Sequence, residues 1–465
     1  MTRDDLLKRL VELEAQIREL EGRLERALTE NAELREENAR LRKELEEWKR
    51  GHRERRKRRS SRAEGRKAGA RKRAGRRPGH AGAWRPAVKP DRTVEHPLPE
   101  RCECGGCVTE TDEVAQTVVQ DIPPVKVENV AHVARVGRCQ NCGRRVVAPL
   151  PGAPAAGGMV AASQLGPNAH ALIVSLRYDH RMPMPQISRF LRGWFDLSIT
   201  PSGIHHLLTR MRKRTAASYE EIVLHVQSSS VVGIDETGLR QDGVSGWAWV
   251  ARTDEASLFR VELSRGSWVA EAMLGDGFRG VVCSDFYGVY TAKSEWTHGY
   301  CGAHTIREAK KVAEVSPNLW TERFRDEICD WYAQAKAAQK NGTRAERNAL
   351  REQLDVLTQR ASWDHPDVLR LAARIDEHFE GVAYFLDHRS VPSDNNVTER
   401  DIRPIAVFRK ITGGTRSEAG SKNLGHWMSI VQTLHKNDKS VRDFVRDRWD
   451  AHRHGRPPPS LFASG

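Results

Sequence analysis

The sequence predicts a multidomain α+β protein. Three observations predict it: heptads fill the first 48 residues, two tight cysteine pairs lie between residues 102 and 142, and strand-like alternation from about 230 gives way to long helical periodicity. At 465 residues the chain has room for two to four domains of about 100 to 200 residues each, so at least one segment buries a large core. The N-terminus "MTRDDLLKRLVELE" is charged from its third residue, and no segment reaches about 18 uninterrupted apolar residues. A soluble, cytoplasmic protein with no membrane partner is therefore expected.

Residues 1–48 place Leu10, Ile17, Leu24, Asn31, Asn38 and Leu45 at one seven-residue spacing, and Leu6, Leu13, Leu20, Ala27, Leu34, Leu41 and Trp48 at the other. That is the seam of a parallel coiled coil. Asn31 and Asn38 occupy inner positions, where a buried Asn lowers stability but fixes register by pairing with its twin, so a homodimer or a specific partner helix is expected. A basic arm follows over 49–93. Its residues 49–77 hold 16 Lys and Arg against only Glu54 and Glu64, a net +14 that equals the charge of the whole chain. With almost no apolar residues this arm cannot fold alone, and its charge suits a polyanion. In a basic leucine-zipper protein the basic helix precedes the zipper and runs into it; here the order is reversed and glycines interrupt.

Five of the eight cysteines fall within 41 residues, which favours a metal over disulfides in a reducing compartment. Over 94–150, "RCECGGCVTE" and "GRCQNCGRR" offer Cys104, Cys107, Cys139 and Cys142 as tetrahedral zinc ligands, with Cys102 able to replace Cys104 or Cys107. The alternation between them, "TDEVAQTVVQDIPPVKVENVAHVARV", reads as short strands and gives a zinc ribbon with structural Zn²⁺. After the linker "PGAPAAGG", residues 159–215 read as three short helices with Gly193 and the cap residue Thr200 marking the last turn. Such spacing with a basic final helix, "LLTRMRKRT", is that of a helix-turn-helix DNA reader, although an ordinary helical bundle shares the pattern.

From 230, "SVVGIDETGLR", "SGWAWVART" and "ASLFRVELS" are three strand-like runs; a helix near 267–275 and a fourth run, "GVVCSDFYGVY", follow. Three hairpin-linked strands, a helix and another strand is the order of a ribonuclease H-like sheet, in which the first and fourth strands lie side by side. Asp235 and Asp285 each close an apolar run and would stand together at the sheet edge. Like charges a few ångströms apart need a cation, and oxygen-only donors favour Mg²⁺ or Mn²⁺. A third acid would complete a two-metal site. A helix starting near the cap candidate Ser393 can lay Glu399 beside the aspartates, with Asn395 one turn earlier on the same face and Pro404 bending the chain away afterwards. The 113 residues between Asp285 and Glu399 are mostly helical by periodicity, an insertion over 303–390 that splits the domain into 226–302 and 391–448 and leaves 449–465 as a tail.

The motifs "GIDETGLR", "SDFYGVY", "CGAHTIREAKK" and "SDNNVTERDIRPIAVFRKITGG" resemble those of insertion-sequence-66 family transposases, a resemblance that covers most of the chain. It implies a DDE triad of Asp235, Asp285 and Glu399 holding two Mg²⁺ (or Mn²⁺), with Asn395, Asn396, Arg400, Arg403 and Lys410 as flanking site residues. His304 would face the site or serve as a buried structural histidine. The "CECGGC" overlap departs from the family's clean Cys-x-x-Cys, and Thr305-Ile306 stands where the family more often has basic residues. The resemblance further implies double-stranded DNA as partner, both element ends and target, a bacterial setting at the nucleoid, and room for accessory proteins encoded by the element. The expected activity is Mg-dependent strand cleavage and strand transfer. A metal-dependent nuclease of the same fold would cut without joining; a DNA-binding repressor with an inactive sheet is a third reading, against which the complete triad argues.

Overall fold

The computed structural model describes residue 22 and, between 88 and 462, all residues except 124, 132, 134, 149–164 and 360–364. The expected coiled coil, the basic arm up to residue 87 and the linker at 151–158 therefore lie outside the described residues, residue 22 excepted. The chain divides into two units, ending and starting at Asp121 and Ile122. In the first, residue 22 is helical, residues 88–121 hold no helix, and Arg101 and Cys107 form an isolated bridge.

The alternation at 111–135 does not make strands among the described residues. Its apolar side chains, Val114, Val119 and Ile122 among them, are exposed, so the alternation finds no surface to pack on. The hairpin forms later in the second unit, where β1 (Val136–Arg138) and β2 (Arg145–Val147) pair antiparallel across the Cys139–Cys142 turn.

Between residues 165 and 230 four α-helices precede the main sheet: α1 (Pro167–Val174), which runs into a π-helical turn at Ser175–Asp179, α2 (Met184–Phe195), α3 (Pro201–Arg214) and α4 (Ala216–Gln227). Thr200 caps α3, its hydroxyl accepting from Gly203 N–H at 3.0 Å. Gly193 is not the turn residue. It lies inside α2, and the left-handed position is taken by Asp196 (φ 50°), a residue type whose short polar side chain tolerates it.

The sheet follows the expected strand sequence. β3 (Val231–Gln241), β4 (Val244–Arg252) and β5 (Ser257–Glu262) form an antiparallel meander, and the first hairpin turns on Asp242-Gly243, both at positive φ. After α5 (Ser267–Leu274), β6 (Val281–Ser284) pairs parallel with β3; a short α6 (Gly288–Thr291) leads to β7 (Thr297–Tyr300), parallel to β6. The order is β5-β4-β3-β6-β7, a mixed sheet with β3 at its centre.

Then come α7 (Gly302–Val315), α8 (Leu319–Asn341), α9 (Arg344–Thr358), α10 (Pro366–Glu377), α11 (Phe379–Ala383), α12 (Asn396–Thr412), α13 (Glu418–Lys436) and α14 (Val441–Arg453). Capping boxes at Asn318 with Thr321 and at Thr343 with Glu346 fix where α8 and α9 begin.

Two apolar cores result. One joins α1–α5, β3–β5, α12 and α13 around Trp249, Phe259 and Trp427; the other joins α8–α11 to β6 and β7 around Trp331, Tyr332 and Phe385. The pleat of β6 divides them, Val282 serving the first and Val281 and Cys283 the second. Among the described residues no helix is long and apolar enough to cross a membrane.

Trp427 ties three elements of the first core. Fully buried on α13, it stacks on Tyr178 of the π-helical turn at 6.1 Å, and its indole N–H reaches the Leu208 carbonyl of α3. Trp427→Ala should cost about 3 to 5 kcal/mol, read as a lower midpoint in urea unfolding with an unchanged far-UV spectrum of the native state.

Candidate active site

The parallel ladder of β3 and β6 pairs Val231 with Val281, Val232 with Val282 and Gly233 with Cys283. Two residues further on, each chain reaches an acid: Asp235 on β3, Asp285 just past β6. The two carboxylates thus leave adjacent strands in register, at the carboxyl ends where ligands of such sheets bind. Asp235 Oδ1 accepts from Glu236 N–H at 2.8 Å, and Asp285 Oδ1 accepts from Tyr287 N–H at 3.0 Å. The latter bond turns the chain towards α6 directly after β6, where the apolar run closes.

Glu399 reaches this place through a buried strap. Asn395, 3% exposed, donates from Nδ2 to the Ile234 carbonyl at 3.0 Å, and its own N–H donates to Cys301 Sγ at 3.0 Å. Gly302 N–H donates to Ser393 O, and Cys301 N–H to Ser284 O. The segment before α12 is therefore bonded both to the residue preceding Asp235 and to the start of α7, itself bonded next to Asp285. Gly233 makes the approach feasible. A Cβ there would overlap the Thr398 hydroxyl and crowd Asn395 Oδ1.

Two details differ from the sequence reading. The helix begins after Asn395, not Ser393, and Asn395 does not cap it with its side chain, whose amide is bonded to the Ile234 carbonyl of β3. It also continues through Pro404 to Thr412: the proline removes one backbone donor, but Ile402, Ile405 and Phe408 hold the helix against the first core.

The electrostatics join the three acids. Burial first, then the charge of Glu236, with Asp285 and Glu399 adding to it, pushes the Asp235 carboxyl up to about 7. Glu399 meets His304 Nε2 at 3.7 Å and Arg307 at 3.5 Å, both from α7. His304 is thus brought to the acids, with its Nδ1 buried and lacking a partner. Asn396, Arg400, Arg403 and Lys410 are not brought onto the carboxylates; they form an exposed stripe along the outer face of α12.

Sequence reasoning missed Glu236 and Arg307. Glu236 points to the face opposite Asp235, its side chain 4% exposed, where Arg265 binds it at 2.6 Å and the Tyr290 hydroxyl donates to it at 2.5 Å. Arg265 also stacks over Trp247 and Tyr287, so this cluster supports the Asp285 turn from behind. An acid inside a strand pattern signals a buried partner, but the partner lies 29 residues away and is not legible.

Among the described residues, no group of three or more His, Cys, Asp or Glu side chains stands ready to hold a metal ion. The donor chemistry at the acids nevertheless fits a hard divalent cation: the carboxylates are oxygen donors, and Asp235 is costly to ionise without a counter-charge.

The cysteine turns are built alike, each within its own unit. Cys102 N–H donates to Gly106 O and Gly105 N–H to Cys102 O; Cys139 N–H donates to Arg144 O and Gly143 N–H to Cys139 O. Gly105 and Gly143 both have positive φ. Backbone donors from Cys104 lower the Cys102 thiol, as those from Cys142 lower Cys139. By this pattern Cys102 and Cys104 correspond to Cys139 and Cys142, and Cys107 falls on the bridge with Arg101.

Residues 162–423, more than half of the chain, match the transposase IS66 family and include all three acids. The chain belongs to the transposase IS66 family. Its curated relatives include two uncharacterized proteins of Sinorhizobium fredii. It is 24% identical to y4jO over 195 residues, 41% of this chain and 58% of that relative, and 23% identical to y4hP over 412 residues, 78% of this chain and 72% of that relative. The chain thus spans less than two thirds of y4jO. In this IS66-family chain the matched region runs from just before α1 into α13, so the cysteine turns lie outside it.

Two outcomes test the site's construction. Gly233→Ala should destabilise by about 1 to 3 kcal/mol through overpacking, and Thr398→Ala in the same chain should restore part of that loss in urea unfolding. The second concerns pH. With a chelator present, the folded protein keeps the Asp235 proton up to about pH 7, whereas an unfolded chain releases it near the ordinary carboxyl value of 3.8. The native state holds the extra proton between these values, so stability contributed by this group falls as pH rises through that window. Thermal midpoints across pH should show Asp235→Asn removing this decline; an unchanged slope would assign it to another group.

Proposed function

We propose that this chain is a DNA transposase that cuts at the ends of its own mobile element and joins them to target DNA, at a ribonuclease H-like centre formed by Asp235, Asp285 and Glu399. The observation that carries this reading is the parallel register of β3 and β6, whose last pair, Gly233 and Cys283, lies two residues before Asp235 and Asp285, with the Asn395 strap bringing the charge of Glu399 to Asp235. Three acids from distant parts of a family-matched segment converge on one sheet end, a costly arrangement unless it serves chemistry.

The three carboxylates would hold two Mg²⁺ (or Mn²⁺), which when bound supply Lewis acidity at the scissile phosphate. The protein's own groups do the positioning. Asn395 holds the start of α12 to β3, and His304 and Arg307 orient Glu399 from α7. The exposed Asn396, Arg400, Arg403 and Lys410 bind the phosphates of the strand being cut, while the helices over 302–386 flank the site.

Elsewhere, α2 and α3 act as the helix-turn-helix that reads element ends, and residues 49–77 contact phosphates without sequence preference. Structural Zn²⁺ is the ligand proposed for the cysteines, Cys104, Cys107, Cys139 and Cys142, with Cys102 able to replace Cys104 or Cys107. The heptads of 1–48 pair two copies so that two ends are held together.

Purified protein with Mg²⁺ and a donor duplex carrying the element's ends should give both cleavage and joining. Asp235→Asn, Asp285→Asn and Glu399→Gln should each abolish both while leaving duplex affinity within about twofold, since each removes a metal ligand and no phosphate contact. Cleavage without joining would make the protein a nuclease. Near-normal cleavage by any one variant would remove that residue from the triad.

A further inference from the structure

A cleft of about 590 Å³ lies between the helices before the sheet and the loop joining α12 to α13. Arg177, His205 and Arg416 line it, and no Asp or Glu does. Arg177 belongs to the π-helical turn, a distortion that often marks functional sites. It is only 8% exposed, its Nε has no hydrogen-bond partner, and it forms no ion pair among the described residues. What holds it is a bond from one terminal nitrogen to the Met182 carbonyl at 3.1 Å, stacking over Phe408 at 4.5 Å and contact with the side chain of Tyr178. A buried cation without an anion is costly, so the cleft lacks a negative charge.

Two long helices begin at this cleft, α3 with Pro201 and Ser202 in its first turn and α13 just after its cap residue Ser417, and their positive ends favour an anion in the same place. The one acid in the first turn of α13, Glu418, is engaged by Lys422 at 2.5 Å. The loop is fixed by its glycines. Gly413 and Gly414 have positive φ, a Cβ on Gly414 would strike the Arg240 carbonyl, and Thr415 N–H donates to that same carbonyl at 2.8 Å. Arg416 and Ser417 are therefore held against the end of β3 and do not depend on a ligand for their placement.

The volume exceeds what a bare phosphate fills, and the lining mixes hydroxyl and amide groups with apolar side chains, Met184, Pro201 and Ile411 among them. The exposed basic stripe of α12 runs about 21 Å from Asn396 to Lys410 at 1.5 Å per residue and ends at the cleft's rim. We propose that the cleft seats one nucleotide of a DNA strand, its phosphate against Arg177 and Arg416 and its ring against the apolar side chains. This rests on the reading of the chain as a DNA-processing protein, and adds a strand contact remote from the carboxylates.

The test uses the full chain and a fluorescein-labelled 12-nucleotide single strand, followed by anisotropy, with dAMP, inorganic phosphate and deoxyadenosine as competitors. dAMP should displace the strand, phosphate should do so more weakly, and deoxyadenosine should fail. Ser202→Glu and Arg416→Gln, both exposed at the cleft, should weaken the strand and dAMP at least tenfold. Arg177→Met should do the same; if it does not fold, the two exposed variants still decide. Strand and dAMP affinities unchanged in both exposed variants would overturn the proposal, as would a wild-type protein that binds neither probe. Weakening of dAMP alone would make the ligand a free nucleotide and overturn its place on the strand. Where strand and dAMP respond as expected but no Mg²⁺-dependent cleavage occurs, the cleft stands and the transposase reading falls.

Discussion

The close approach of α12 to β3 at Gly233 is the contact on which the site depends. Asn395 is buried and must satisfy its polar atoms inside the protein; its bonds to the Ile234 carbonyl and the Cys301 thiol do so. Losing such a bond while the group stays buried costs about 1 to 3 kcal/mol. Burial keeps the Cys301 thiol protonated by raising its pKa, so it acts as a weak acceptor and not as a nucleophile. Through these few bonds, segments at 233–235, 284–285, 301–304 and 393–399 meet at one point. Each is far from the others in sequence, and none would hold its acid in place alone.

The long interval between Asp285 and Glu399 is less of an obstacle than its length suggests. Closing a loop costs entropy only as the logarithm of its length, and this interval folds around its own core of Trp331, Tyr332 and Phe385. That core is anchored to the sheet by Val281, Cys283 and Tyr300, so the inserted helices extend the domain instead of hanging from it. Their first member, α7, returns the benefit by carrying His304 and Arg307 to Glu399.

The parts legible in the sequence were those with local signals. The apolar runs ending in Asp235 and Asp285 gave both the strands and the acids, and Thr200 stands where a helix cap is needed. Glu399 was reached through its motif, since no local periodicity points from 399 back to 235. What failed to read through was tertiary. Arg265 finds Glu236 only after the chain has made β4 and β5, and Pro404 stays helical only because a core face holds it. The alternation before β1 misled because alternation predicts a strand only when one face has something to cover.

The two acids of β3 show how the protein allots charge. Glu236 and Asp235 are neighbours pointing to opposite faces, and both are removed from much of the solvent. Glu236 receives an arginine and a tyrosine hydroxyl from within the fold. Asp235 receives a single backbone N–H, and the charges nearest it are all negative. Two carboxylates about 5 Å apart repel by about 3 kcal/mol at an effective dielectric near 20, a cost the sheet imposes by keeping the acids in register. A fold able to place Arg265 behind one acid had the means to place a cation beside the other. It places Asp285 and Glu399 there instead, and together with burial they make Asp235 hold its proton up to about 7.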